Sequence, residues 1–146
     1  MAAILELPRQ SLLYVRVNAT DTEFCYGDLV AVVRPGLNGI VLPKVESAAA
    51  LATIDWLLTQ LEREQGLVPQ AIDLIPIVET ARGLDGLDVV LAAATRVRHV
   101  AFGAGDFTLD VNMAWSRTEA ELRPNRHNIA RCRDRGPLRH GLGRSR

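Results

Sequence analysis

Short apolar runs alternate with longer amphipathic stretches along the middle of the chain. Four runs are rich in valine, isoleucine or leucine and short enough for buried parallel strands; they cover 12–18, 39–44, 72–79 and 98–103. The stretches between them space their apolar residues as helices do. The order β-α-β-α-β-α-β predicts an α/β fold with a parallel sheet, which either an open doubly wound sheet or a (β/α)8 barrel can supply.

Three helices are predicted between these runs. Ser47 is suited to cap a helix that ends near Gly66 and carries an apolar stripe of Leu51, Ile54, Leu57, Leu58 and Leu61. Thr80 is suited to cap the next helix, whose inner face holds Leu84, Leu87 and Leu91. A weaker pattern predicts a first helix over about 22–33. Because a closed barrel normally takes about 250 residues, the barrel interpretation makes this 146-residue chain a partial barrel of about four β/α units.

Charge divides the chain after residue 130. Residues 131–146 hold six arginines and one aspartate, whereas residues 1–130 carry a net charge of −5. The first segment is predicted to be the folded domain, and its acidic body argues against nucleic-acid binding. The Arg-rich tail has no helical or strand period, which predicts a disordered segment or one foreign to the domain. A basic arm that contacts nucleic acid is the alternative for the tail.

Cysteine usage and hydropathy bear on the compartment. Cys25 and Cys132 have no metal-ligand spacing and cannot form a disulfide framework, so two reduced thiols are expected. The first apolar stretch contains Glu6 and Arg9, which makes it a poor signal peptide. No run approaches the roughly 18 apolar residues of a membrane span. These features predict a cytoplasmic protein without membrane association.

Arg16 is a charged residue within the first predicted strand. Strand alternation places Leu13, Val15 and Val17 on one face and Tyr14, Arg16 and Asn18 on the other. A guanidinium on a buried strand requires an anion. Two interpretations stay open: Arg16 binds a substrate carboxylate through both oxygens, or it forms an internal salt bridge with Glu46 or Glu79.

Two acids follow predicted strands at the point where each strand ends. Glu79 closes the third strand, and Asp106 follows the fourth after a short glycine-containing turn. In parallel α/β barrels that edge is the active-site face. Two carboxylates with room for water suit Mg²⁺, which takes its other oxygens from water and substrate. The alternatives are a helix N-terminal acid for Glu79 and a helix cap or turn residue for Asp106.

Further candidates lie at the same predicted edge. Lys44, the only lysine, ends the second strand and is a candidate to bind an anionic substrate or form a Schiff base; a structural ion pair is the alternative. Gly103 and Gly105 allow close backbone approach, which makes Gly105 a candidate to contact substrate, although both can equally serve the turn alone. Trp56 and Trp115 are interpreted as packing residues.

Four segments of this sequence together resemble one protein family. They are VRVN at 15–18, GIVLPKVES at 39–47, IPIVETA at 75–81 and FGAGDF at 102–107. They resemble four consecutive blocks of citrate lyase β-subunit-like proteins in the HpcH/HpaI aldolase and citrate lyase family, which includes malyl-CoA lyases. The resemblance covers about 12–130 and implies a TIM barrel.

The resemblance also implies chemistry and site residues. Glu79 and Asp106 match the two Mg²⁺-binding acids of the family, and Arg16 matches the arginine that faces the substrate carboxylate and the developing enolate. The implied substrates are 3-hydroxyacyl thioesters of coenzyme A of the citramalyl-CoA or malyl-CoA kind, or aldol products of 2-keto acids. A homo-oligomer is expected.

The sequence also departs from the family. Its start does not match the first strand and acidic segment of the family, and the match fades near Ala130, before the strands that complete the barrel. The metal half-site is therefore expected here, without the general base and much of the coenzyme A site. Three hypotheses follow: a Mg²⁺-dependent carbon–carbon lyase, an inactive barrel fragment or assembly partner, and an HpcH-type aldolase acting on free 2-keto acids.

Overall fold

The computed structural model of the chain describes residues 11–94 and 96–134. Its elements alternate strands and helices, as the hydrophobic pattern predicts. They are β1 (Tyr14–Arg16), α1 (Phe24–Val32), β2 (Gly39–Leu42), α2 (Ala48–Glu64), β3 (Asp73–Val78), α3 (Ala81–Asp85), α4 (Leu87–Ala92), β4 (Ala101–Phe102), α5 (Ala104–Asp110), a 3-10 helix (Ala120–Leu122) and α6 (Arg123–Asp134).

The four strands form one parallel sheet in which neighbours in the chain are neighbours in space. The order is β1-β2-β3-β4, and every pair is parallel. A doubly wound sheet reverses its strand order at a switch point, whereas a barrel adds each strand beside the last. The strand order therefore decides between the two predicted architectures: the chain is a partial (β/α) barrel of about four units.

The main core lies between the sheet and its helices. The predicted alternation in the first strand is confirmed, because Val17 is buried in this core and Leu13 and Val15 pack against it. The buried residues of β2, β3 and the helices complete it; they include Leu29, Ile40, Leu42, Leu51, Leu58 and Leu74. A smaller cluster of Val78, Leu87 and Ile129 lies under α4 and α6.

The helices follow the predicted signals with one difference. Ser47 caps α2 by accepting a hydrogen bond from the Ala50 N–H at 3.1 Å, and the predicted stripe on α2 is buried or half-buried. Thr80 caps the next helix through the Gly83 N–H. That helix is two short ones, α3 and α4, which meet at Gly86. Gly86, which follows Gly83 in this segment, favours the break because glycine destabilises a helix interior.

A side-chain contact links β1 to β3 across β2. Tyr14, Gly39 and Asp73 lie side by side on β1, β2 and β3. The Tyr14 ring lies over Gly39, where a Cβ atom would stand 2.4 Å from a ring carbon, and the Tyr14 hydroxyl donates to Asp73 Oδ2 at 2.9 Å. This hydrogen bond is the main reason that the pKa of Tyr14 is raised. Gly39 thus lets β1 contact β3 directly across β2.

A buried ion network fastens α2 to the segments on either side of β3. The guanidinium of Arg96, 2% exposed, donates to Glu62 Oε1 at 2.7 Å and to Asp55 Oδ1 at 2.6 Å. Glu62 is fully buried and also accepts the backbone N–H groups of Gln70 and Ile72. Both carboxylate oxygens of Glu62 therefore accept hydrogen bonds, which a buried charge requires.

Two sequence predictions need correction. Arg16 is exposed rather than buried, and the described part of the chain gives it no ion pair within 4 Å. Glu46 pairs instead with Arg82 at 3.8 Å. The prediction that the tail has no helical structure from residue 131 is wrong for its first four residues, because α6 runs on to Asp134. Residues 135–146 lie outside the described part.

No helix within the described ranges is both long and apolar enough to cross a membrane.

Candidate active site

Glu79 is the central acid at the C-terminal edge of the sheet. It follows the last residue of β3 directly and is only 3% exposed. Its Oε1 accepts a hydrogen bond from the Lys44 N–H at 2.9 Å. Lys44 has a left-handed backbone with φ of 51°, an unusual conformation for a residue with a Cβ, and its side chain is exposed. The Lys44 main chain therefore orients Glu79, while its ammonium group remains at the surface.

Gly103 makes the room that the Glu79 side chain occupies. The Gly103 N–H donates to the Val78 carbonyl at 3.0 Å, which continues the β3–β4 pairing past the last strand residue. A Cβ atom at position 103 would lie 2.5 Å from both Cβ and Oε2 of Glu79. Any larger residue would therefore displace the carboxylate. The close backbone approach predicted for this glycine pair occurs at Gly103, since a Cβ at Gly105 would meet only a Trp115 ring atom at 3.7 Å.

Asp106 brings a second carboxylate to Glu79 from the first turn of α5. It is exposed, whereas Glu79 is buried. Burial is the largest cause of the raised pKa of Glu79, and the neighbouring Asp106 raises that pKa further. The Lys44 N–H and the charge of Arg16 act in the opposite direction and only partly offset them. The structure thus brings three predicted site residues into one neighbourhood: Glu79, Asp106 and Arg16.

Such a pair of carboxylates suits a hard divalent cation. Their oxygens are the ligands that Mg²⁺ prefers, and a cation between them would remove the repulsion that raises the pKa of Glu79. Within residues 11–94 and 96–134, no group of three or more histidine, cysteine or acidic side chains is placed to hold a metal ion. A cation bound by Glu79 and Asp106 would therefore take its other ligands from water and substrate, as Mg²⁺ commonly does.

One neighbour of this site was missed by sequence reasoning. Asp110 accepts a hydrogen bond from the Ala81 N–H at 2.8 Å. The spacing of Asp106 and Asp110, four residues on one helix, was the signal that could have found it. Trp115, interpreted from sequence as a packing residue, is half exposed and packs beside Gly105. No periodic pattern in its segment indicates that position.

The fold and the acid pair together define a class: a parallel β/α-barrel segment with an acidic site at the C-terminal ends of its strands. Comparison with known proteins gives the family. The family model described as HpcH/HpaI aldolase/citrate lyase matches residues 3–136, which is nearly the whole chain. The chain belongs to the HpcH/HpaI aldolase/citrate lyase family, and the resemblance inferred from the sequence blocks is confirmed.

Individual relatives point to the same family. The chain is 35% identical over 105 residues to the L-malyl-CoA/beta-methylmalyl-CoA lyase of Rhodobacter capsulatus. The match covers 70% of this chain and 33% of that protein. It is 35% identical over 101 residues to citrate lyase subunit beta of Leuconostoc mesenteroides subsp. cremoris. That match covers 69% of this chain and 33% of that protein. The chain therefore spans about a third of the length of the curated relatives it matches.

A solved structure shares the fold. The CitE protein of Mycobacterium tuberculosis, in complex with magnesium, acetoacetate and coenzyme A, superposes with a TM-score of 0.61. It is 27% identical in sequence, and the match covers 84% of this chain and 42% of that one.

Proposed function

We propose that this chain carries the metal site of a Mg²⁺-dependent carbon–carbon lyase that cleaves or forms a 3-hydroxyacyl thioester of coenzyme A. The observation that carries the proposal is the pair of Glu79 and Asp106 at the C-terminal strand edge, with the positive charge of Arg16 close enough to act on Glu79. The names of the malyl-CoA lyase and citrate lyase relatives support the reaction class. The magnesium and coenzyme A bound by the CitE protein support the cofactor and the substrate class.

The proposed reaction breaks the bond between the carbon next to the thioester and the carbon that bears the hydroxyl. The hydroxyl loses its proton to water as its carbon becomes a carbonyl, and the bonding electrons pass to the thioester carbonyl as an enolate. The enolate carbon then takes up a proton from water to give the acyl thioester. Bound Mg²⁺ would supply a Lewis acid for the oxygens of the hydroxy-acid or keto-acid fragment. Glu79 and Asp106 would hold that ion, and the Arg16 guanidinium would stabilise the developing negative charge.

The remaining predicted contacts take supporting roles in this proposal. The exposed Lys44 ammonium is placed to attract an anionic substrate to the strand edge, and Gly105 offers a surface without a side chain beside Asp106. We further propose a homo-oligomer in the cytoplasm, with the small-molecule thioester as substrate.

The test is cleavage of malyl-CoA by the purified chain with Mg²⁺, followed by trapping of the carbonyl product. We expect product with Mg²⁺, none after chelation, and none from Glu79→Gln or Asp106→Asn. Manganese binding, measured by electron paramagnetic resonance of Mn²⁺, checks the metal site without requiring turnover. Full cleavage by Glu79→Gln would refute the metal assignment.

The same assay separates the other two hypotheses. Cleavage of a free 4-hydroxy-2-keto acid, with no reaction of the thioester, would identify an HpcH-type aldolase. Mn²⁺ binding that depends on Glu79, without turnover of either substrate, would identify an inactive barrel fragment or assembly partner. In that last case, light scattering of the chain alone and with added partners would show what it joins.

A further inference from the structure

Asp110 contacts the same short segment of chain as Asp106 does. Its Oδ2 accepts a hydrogen bond from the Ala81 N–H at 2.8 Å, two residues after Glu79. Residues four apart lie on the same face of a helix, so α5 directs both of its acids toward the end of β3 and the start of α3. We propose that Asp110 is a positioning residue, which holds α5 against the β3–α3 turn and so sets the separation of Glu79 and Asp106.

A bond of this kind is needed because the acid pair itself pushes α5 away. Two carboxylates in contact repel each other whenever both are charged and no cation lies between them. At the beginning of α5, the Gly103 N–H fastens the chain to the Val78 carbonyl at 3.0 Å. At the end of α5, Asp110 fastens it to Ala81. The helix is therefore held at both ends, with Asp106 between the two points.

Asp110 acts through position and not as a further ligand. The described residues contain no third acid grouped with Glu79 and Asp106 for metal binding. The charge of Asp106 contributes to the pKa of Glu79, whereas Asp110 is not among the groups that do so. What Asp110 satisfies is a backbone N–H in the first turn of α3, one of the donors that a helix start leaves without an intrahelical partner. An amide oxygen at position 110 can accept the same bond.

The experiment measures Mn²⁺ affinity by isothermal titration calorimetry on the full chain. The proposal rests on the proposed function in one respect, the assignment of Glu79 and Asp106 as metal ligands. We expect Asp110→Ala to weaken Mn²⁺ binding about tenfold, the lower end of the range for residues that orient metal ligands, because the bond is exposed. Asp110→Asn should restore the affinity to within about threefold of wild type, because its Oδ1 replaces the acceptor.

The matched control is Asp85→Ala. Asp85 is an exposed acid on α3 whose side chain makes no hydrogen bond or ion pair with the other residues that the structure describes. Its removal makes the same charge change on α3, the helix that Asp110 contacts, and should leave Mn²⁺ affinity unchanged. Amide hydrogen exchange of the metal-free chain adds a structural measurement: exchange at Ala81 should accelerate in Asp110→Ala and much less in Asp110→Asn.

The outcomes separate this inference from the proposed function. Wild-type Mn²⁺ binding that depends on Glu79 but is unchanged in Asp110→Ala would overturn the positioning role alone. Equal losses in Asp110→Ala and Asp110→Asn would also overturn it, because they would make Asp110 a charged ligand. Absence of Mn²⁺ binding by the wild-type chain would overturn the metal site itself, and the positioning role with it.

Discussion

Two glutamates of this chain are buried to a similar degree but have opposite surroundings. Glu62 receives two donors from Arg96 and two backbone N–H groups. Burial raises the pKa of Glu62, but these partners outweigh it and the net shift is downward. Glu79 receives one backbone N–H and faces Asp106, so its pKa is raised, first by burial and then by that second acid.

The difference distinguishes a carboxylate that holds the fold together from one kept for a ligand. The Glu62 network has all its partners within the chain, and it links α2 to the loop before β3. Glu79 has no salt bridge with the described residues, and the charge of Arg16 only partly offsets its burial, which is unfavourable until a cation binds. Buried carboxylates with perturbed pKa values, as in this second case, cluster at functional sites.

Breaking the Glu62 network should have the largest effect on stability. Arg96→Met leaves a fully buried carboxylate without its cation, and we expect the free energy of unfolding to fall by about 3–5 kcal/mol. Urea denaturation followed by circular dichroism measures it. The double variant Arg96→Met/Glu62→Leu should recover much of the loss. Arg98→Met is the control, because Arg98 is an exposed partner of Asp73 at 3.8 Å and should matter by less than about 0.5 kcal/mol.

Filling the space beside Glu79 should have the next largest effect. Gly103→Ala places a methyl group where the Glu79 side chain lies, so we expect a loss of about 1–3 kcal/mol in unfolding free energy. Mn²⁺ affinity should also fall at least tenfold, because the carboxylate must move. Gly27→Ala on α1 is the control: nothing lies within 4 Å of its added Cβ, and it should be neutral or stabilising. An unaltered Mn²⁺ affinity in Gly103→Ala would contradict the site geometry.

Neutralising Glu79 should stabilise the metal-free chain. Glu79→Gln removes a buried charge and its repulsion from Asp106 but keeps an oxygen for the Lys44 N–H. We expect a gain of about 1 kcal/mol in unfolding free energy and a loss of Mn²⁺ binding, the usual exchange of function for stability at a site. Glu62→Gln, the same substitution at the other buried glutamate, should instead destabilise. If both variants shift stability in one direction, the comparison fails.

The smallest effect is a difference in how stability depends on pH. Glu62 has a lowered pKa in the folded state, so its contribution is present above the ordinary glutamate pKa and is lost as pH falls through the lowered value. Glu79 has a raised folded pKa, so it binds protons more readily in the folded state and stability falls as pH rises from about 4.3 through the raised value. Thermal melting of metal-free wild type and Glu79→Gln measures this, and only the wild type should lose stability over that upper range.

The sequence predicted the secondary-structure elements better than it predicted their arrangement or the exposure of single residues. Apolar alternation and caps located all four strands and α2, because burial on two faces and a side-chain cap both leave local signals. Periodicity could not choose between a doubly wound sheet and a barrel, since both use the same β/α units. It also could not show that Arg16 is exposed, because the exposure of a single strand residue depends on tertiary packing and not on local alternation.

For the site, residue type and position relative to strands identified Glu79 and Asp106, and the structure places them together. The partners that orient them were not predictable. Lys44 was proposed as a site residue for its ammonium group, yet it is the Lys44 main-chain N–H that binds Glu79. Lys44 has a left-handed backbone, which the presence of a lysine does not predict. Gly103 and Gly105 looked equivalent in sequence, and only the packing of Glu79 distinguishes them. Arg96 pairs with Glu62 over 34 residues, a separation that no local pattern covers.

The order of the strands has a consequence for how the chain folds. Each strand pairs with the next one along the chain, at separations of 24 to 34 residues. The entropy lost on closing each loop is therefore modest, and no pairing has to wait for a distant part of the polypeptide. During synthesis, each β/α unit can dock on the previous one soon after it leaves the ribosome, so that the sheet grows from its N-terminal strand outward.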